Sequence, residues 1–183
     1  MLRIIAGEVR GHPLRTPKGR ITRPTTDRVR EALFNILGSR VIDSIFLDLF
    51  AGSGAVGLEA LSRGAKKAVF IENNKLALKC LNSNLMSTNF KAKGLVIAAD
   101  ARRALEHLKK KDILFDLVYV DPPYSKGWGD VILPSVNDLL LPYGLIIMET
   151  SVKEKPSEIN GIKMFSKRVY GDTALSFYKK AGG

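Results

Sequence analysis

The chain has 183 residues, of which 45% are hydrophobic and 26% charged, with a single cysteine. This describes one globular domain able to bury about 70% of its unfolded surface; it excludes a disulfide-stapled fold and a membrane span of roughly 20 apolar residues. Formal net charge is +11, carried as +6 in residues 1–40, +1 in 41–150 and +4 in 151–183. Basic ends around a nearly neutral middle point to a polyanionic partner, nucleic acid first, with a merely solubilising surface as the plain alternative.

In chain order, residues 4–8 and 9–14 read as a short, arginine-studded hairpin with Gly and Pro punctuation. Arg20 to Arg23 lead into Pro24-Thr25-Thr26-Asp27, a helix start in which Thr or Asp can cap and Asp27 suits the helix dipole. Val29, Leu33, Ile36 and Leu37 predict one apolar face for that helix, with Arg28 and Arg30 exposed near its start. The middle alternates strand-like runs with helical periods, the mark of a parallel sheet with covering helices. Strands are expected over 45–49, 68–72 and 95–98, with a helix carrying Val56, Leu58, Ala60 and Leu61 after the first, and helices at about 75–85 and at 101–108. Cys80 falls in the second of these helices beside Leu78, Leu81 and Leu85 and reads as a small core residue. A strand over 117–120, a helix near 131–141 and a strand over 144–149 follow. Residues 162–170 and 174–180, joined by Gly171-Asp172, predict a closing hairpin. The amino terminus lacks the apolar core and cleavage site of a secretory signal, and one cysteine suits a reducing compartment, so the cytoplasm is the expected location.

Two motifs carry chemistry. Gly52-Ser53-Gly54-Ala55-Val56-Gly57 follows the first strand and opens a helix, allowing a tight turn and close approach of backbone to a ligand. Glu72 closes the next strand, where a carboxylate can accept from both hydroxyls of a ribose. Asp100 ends the third strand at the same edge, near where an adenine would lie. Asp48 stands four residues before Gly52, placed for an ammonium or a water network. A nicotinamide dehydrogenase would show the same glycines and ribose acid, but no His or Lys is placed for hydride chemistry; His12 and His107 read as surface residues.

The second motif is Asp121-Pro122-Pro123-Tyr124, at the end of Leu117-Val118-Tyr119-Val120. Amino nitrogens on nucleobases are poor nucleophiles because their lone pair is delocalised into the ring. The Asp121 carboxylate and Pro122 carbonyl can accept the N–H protons, and Tyr124 can stack on the base. The same four residues also suit an ordinary turn after a buried strand.

Asp48 to Gly57 resembles the glycine-rich motif of class I S-adenosylmethionine-dependent methyltransferases, and Asp121 to Tyr124 their D/N-P-P-Y/F motif for amino nitrogens. The front strings Arg3-Ile4-Ile5-Ala6-Gly7, Arg23-Pro24-Thr25 and Arg28-Val29-Arg30-Glu31-Ala32-Leu33-Phe34-Asn35, with Tyr170-Gly171-Asp172-Thr173 in the tail, narrow this. Together they resemble the RsmD-type 16S ribosomal RNA guanine-N2 methyltransferases over nearly the whole chain. The resemblance implies an α/β fold: a doubly wound, mostly parallel seven-stranded Rossmann-like sheet with its last strand antiparallel. It implies methyl transfer from S-adenosylmethionine to a guanine 2-amino group in the small ribosomal subunit or its assembly intermediate. Carried onto this chain, Asp48, Phe50, Ala51, Gly52, Ser53 and Gly54 line the methionine side of the cofactor, Glu72 and Asn73 the ribose, and Asp100 and Ala101 the adenine. Arg23 and Thr25 lie near its amino-acid end. Asp121, Pro122 and Pro123 hold the target amine, Tyr124 stacks on the base, and Lys126 and Trp128 lie in a loop that closes over the guanine. Arg10, Arg15, Lys18 and Arg20 are the expected grips on RNA phosphates. Residues 1–40 thus form a basic RNA-contacting appendage to a methyltransferase domain over 41–183. No metal, no covalent enzyme intermediate, no membrane and a monomer are expected.

Overall fold

The computed structural model describes residues 2–17, 26–123, 127–154 and 159–181. Its elements run α1 (Asp27–Leu37), a short 3-10 turn (Gly38–Val41), β1 (Ile45–Leu49), α2 (Ala55–Ser62), β2 (Lys67–Glu72), α3 (Lys75–Ser87) and β3 (Gly94–Ala98). They continue with α4 (Ala101–Lys110), β4 (Phe115–Val120), α5 (Trp128–Asp138), β5 (Leu140–Ser151), β6 (Ile162–Tyr170) and β7 (Thr173–Lys180). The seven strands form one sheet in the order β3-β2-β1-β4-β5-β7-β6. Strands β1 to β5 pair in parallel, whereas β7 runs antiparallel to β5 and β6. The order reverses between β1 and β4, which opens a crevice at their carboxyl ends.

Alternate residues of each central strand enter two different cores. Phe46, Phe70, Leu117 and Tyr119 pack with α1, α2 and α3, whereas Leu47, Ile71, Val118 and Val120 pack with α4 and α5. Strands buried on both faces read as unbroken apolar runs, which is why β1, β2 and β4 are so legible.

Helix α1 starts where its capping residues predict: Thr26 Oγ1 accepts from the Val29 amide at 3.3 Å. Its buried stripe is Val29, Arg30, Leu33, Phe34 and Leu37, so two expectations are corrected. Ile36 is 44% exposed and Phe34 takes its place, because 29, 30, 33, 34 and 37 share one side of a 3.6-residue period. Arg30 is wholly buried rather than exposed, because Glu59 and Asp27 compensate its charge there.

The front segment doubles back, yet it forms one antiparallel bridge, Arg3 with Pro13, rather than two strands. Ile4 and Leu14 donate across it, to the His12 and Leu2 carbonyls at 3.0 and 2.9 Å, but other donors leave the segment. Ile5 and Ala6 donate to Glu59 at 2.7 and 3.0 Å, Glu8 to the Ser62 carbonyl at 2.7 Å, and Val9 to Ser62 Oγ at 3.2 Å. Ile4 and Leu14 enter the same core as α1.

Helix α5 begins at Trp128 and stops at Asp138, earlier than the expected 131–141. Leu139 and Leu140 are recruited by the sheet: the Phe115 amide donates to the Leu139 carbonyl at 2.9 Å, and Leu140 pairs with Phe115. Cys80 is half-buried rather than a core residue. The tail hairpin pairs Tyr170 with Thr173 across the expected two-residue turn. Among the described residues, no helix is long and apolar enough to cross a membrane.

Candidate active site at the carboxyl ends of the strands

Sheet register decides which motif residues become neighbours. Leu49 pairs with Ile71 on one side and with Val120 on the other. The next residues, Phe50, Glu72 and Asp121, therefore emerge side by side at one edge, on strands spaced about 4.8 Å apart.

The loop after β1 is tied to the end of β2. The Ala51 amide donates to the Ile71 carbonyl at 2.9 Å, and the Gly52 amide to Glu72 Oε2 at 2.8 Å. Glu72 Oε1 accepts from the Asn73 and Asn74 amides at 2.8 and 2.7 Å. Oε1 thus accepts two amides, whereas Oε2 keeps a second lone pair, so this bracing leaves room there for a hydroxyl donor. Phe50 has φ +72°, a conformation that costs a non-glycine residue about 1 kcal/mol or more. Its ring meets Trp128 edge-on at 5.3 Å between centroids, and the Arg102 guanidinium lies 5.5 Å over the indole. Trp128 thus packs at the first turn of α5 against the loop after β1.

Gly52 has φ +55° and open space where a Cβ would point, the cradle a closely approaching ligand needs. Gly57 serves packing instead, since a Cβ there would meet Phe70 Cε1 at 2.3 Å. Ser53 is half-buried and Gly54 buried. Asp100 caps α4 by accepting from the Arg102 amide at 3.0 Å and is exposed; Ala101 follows it, buried. Asp121 and Pro122 are half-buried and Pro123 exposed. Two residues upstream, the buried Tyr119 hydroxyl donates to buried Glu149. Arg10 and Arg15 are exposed. Tyr124, Lys126, Lys18, Arg20, Arg23 and Thr25 lie outside the described residues.

Asp48 is 2% exposed, and its Oδ2 accepts from the Gly57 amide at 2.9 Å, so in this structure it fastens the first turn of α2 to β1. Burial pushes its pKa up from 3.8 to about 7; the Gly57 hydrogen bond opposes this and the nearby Glu72 charge adds to it. A raised carboxyl pKa contributes stability that is complete below about pH 4 and is lost as pH rises through about 7. Asp48→Asn keeps an acceptor for Gly57 without the charge. Its melting temperature should therefore gain on the parent's between pH 4 and pH 8; a difference that stays constant across that range would contradict this placement.

Sequence reasoning missed Glu59 and Ser62, which anchor the front segment, and Asn84, which ties Arg15 to Ser53. The available signal was a polar residue on an otherwise apolar helical face, as Asn84 is beside Leu81 and Leu85.

The family described as "Conserved hypothetical protein 95" matches residues 2–179, which span the front segment, both motifs and the tail hairpin. The "Ribosomal RNA small subunit methyltransferase D" of Escherichia coli is 37% identical over 98% of this chain and 90% of its own. The solved structure of the Escherichia coli protein yhhF aligns with a TM-score of 0.85 at 36% identity, covering 99% of this chain and 98% of that one. This chain belongs to the RsmD-type rRNA methyltransferase family. A more distant likeness, at the level of fold, is to the Thermus thermophilus 16S rRNA N2 G1207 methyltransferase solved with AdoMet and guanosine. It has a TM-score of 0.68 and 21% identity, covering 90% of this chain and 45% of that one. The RsmD-type chain thus has its two motifs on one strand edge of a methyltransferase fold.

Proposed function

We propose that this protein methylates the exocyclic N2 of a guanine in 16S ribosomal RNA, within the small subunit or an assembly intermediate, with S-adenosylmethionine as donor. The observation that carries this reading is the register that sets Glu72, the Phe50–Gly54 loop and Asp121 side by side. The relative named for small-subunit rRNA methylation and the neighbour holding AdoMet and guanosine support it.

The open space at Gly52 and the acceptor capacity of Glu72 fit the donor. Gly52, Ser53, Phe50 and Ala51 would hold its methionine end, with Arg23 and Thr25 nearby; Glu72 and Asn73 would hold its ribose, and Asp100 and Ala101 its adenine. When bound, S-adenosylmethionine supplies an electrophilic methyl on a positive sulfonium. The protein's own task is positioning. Asp121 and the Pro122 carbonyl accept the two N–H protons of the amine, turning its lone pair toward the methyl, while Pro123 shapes the turn. Tyr124 stacks on the guanine, and Lys126 and Trp128 flank it. Asp121 need not be a strong base, because the nitrogen becomes acidic as the new N–C bond forms and its proton then passes to the carboxylate.

Residues 1–40 serve as the RNA-contacting part, with Arg10, Arg15, Lys18 and Arg20 on phosphates, and 41–183 as the transfer domain. The protein works as a monomer in the cytoplasm. Methyl-labelled donor offered separately to unmodified small subunits, duplex DNA and a protein substrate tests the reading. Label should enter 16S RNA; label in DNA or protein, or RNA binding without label, would reject it.

A further inference from the structure

Asn84 on α3 is wholly buried, and its side-chain amide bonds the backbone of two other segments. Its Oδ1 accepts from the Arg15 amide at 2.8 Å. Its Nδ2 donates to the Arg15 carbonyl at 2.9 Å and to the Ser53 carbonyl at 3.0 Å. One partner can only donate and two can only accept, so a primary amide alone satisfies all three. Aspartate matches the shape but offers no donor. Glutamine is a methylene longer and would shift the amide from these partners at a wholly buried position. One helical turn on, Ser87 Oγ lies 3.0 Å from His12 Nε2, a second tie between α3 and the front segment.

The two segments joined are the ones assigned different ligands. Arg15 carries an exposed cation of the basic arm, and Ser53 belongs to the glycine-rich loop. We infer that Asn84 is a positioning residue that couples RNA docking on the arm to the conformation of the cofactor loop. This inference rests on the function proposed above. RNA held by the arm fixes the Arg15 backbone, which keeps the Asn84 amide aimed at the Ser53 carbonyl and narrows the conformers open to the loop. The ordering cost met by the first ligand is then not met again by the second. By linkage the effect is reciprocal: RNA tightens cofactor binding by the same factor by which cofactor tightens RNA binding.

The test measures the dissociation constant of S-adenosylhomocysteine, a non-reacting probe, with and without saturating unmodified small subunits. The parent protein should bind the probe about tenfold tighter when the particle is present, a typical coupling factor. Asn84→Asp should still bind each ligand, with the factor falling to within about twofold of unity. Arg15→Ala should weaken particle binding but keep the factor, because the Asn84 contact is to backbone; a merely structural Asn84 would not separate the two variants. Should Asn84→Asp fail to fold, amide exchange on the parent decides instead. S-adenosylhomocysteine alone should slow exchange of the Arg15 amide, and an unchanged rate overturns the inference. A parent without coupling, or a variant that retains it, overturns it too. A parent that binds both ligands yet transfers no methyl to 16S RNA would instead reject the proposed function.

Discussion

Replacing Asp121 by alanine should slow methyl transfer about a hundredfold or more, the loss typical of removing one preorganised electrostatic partner from a reacting centre. In the proposed reaction the substitution removes the acceptor that both aims the amine lone pair and takes its proton. Cofactor affinity should stay within about twofold, since losing a group that touches only the second substrate leaves binding of the first intact. Asp121→Asn keeps a neutral acceptor at the same place and should fall between the parent and the alanine variant. Single-turnover rates with small subunits, alongside calorimetry with S-adenosylhomocysteine, separate the two quantities. A variant that loses cofactor binding but keeps the rate of transfer would move Asp121 out of the amine site.

The largest expected effect on stability comes from a residue far from the chemistry. Glu59 on α2 is wholly buried and accepts from the Ile5 and Ala6 amides at 2.7 and 3.0 Å and from Arg63 Nε at 2.8 Å. It also lies 3.6 Å from Arg30 Nε, where neither ion meets solvent. Burial pulls the Arg30 pKa below its usual value, and Glu59 and then Asp27 push it back. Glu59→Ala would leave that guanidinium buried with only Asp27 as counter-charge and two backbone donors without acceptors. Breaking such a pair costs about 3–5 kcal/mol. In a domain of this size that lowers the melting temperature by about 10 °C. Arg30→Met combined with Glu59→Gln should cost clearly less than the two single changes summed, because it removes both charges together. Thermal unfolding by circular dichroism reads the parent and all four variants, and a drop of less than about 2 °C for Glu59→Ala would show the cluster to be dispensable.

The sheet was legible wherever strands are buried on both faces, since Phe46 to Leu49 and Leu117 to Val120 leave no polar residue but Asp48 to confuse the pattern. Errors arose where a tertiary partner overrides a local rule. Arg30 reads as a surface cation until Glu59, 29 residues away, is brought beneath it. Residues 4–8 read as one arm of a hairpin, but the Ile5, Ala6 and Glu8 amides find Glu59 and Ser62 rather than another strand. Leu139 and Leu140 continue a helical pattern until Phe115 claims them for the sheet. Glu72 and Asp121 were visible as acids at strand ends, whereas their adjacency to Phe50 follows only from pairing register, which no local pattern encodes. Asn84 shows in the sequence only as a polar residue beside Leu81 and Leu85; its significance lies in joining residues 53 and 15, which sit on separate segments.

The labelled-donor experiment, carried through to nucleosides, tests the central claim most directly. Digested 16S RNA from the reaction should yield all of its label as N2-methylguanosine, and the Asp121→Ala protein should yield almost none. Label on adenine N6, on a ribose or on another guanine nitrogen would contradict the account.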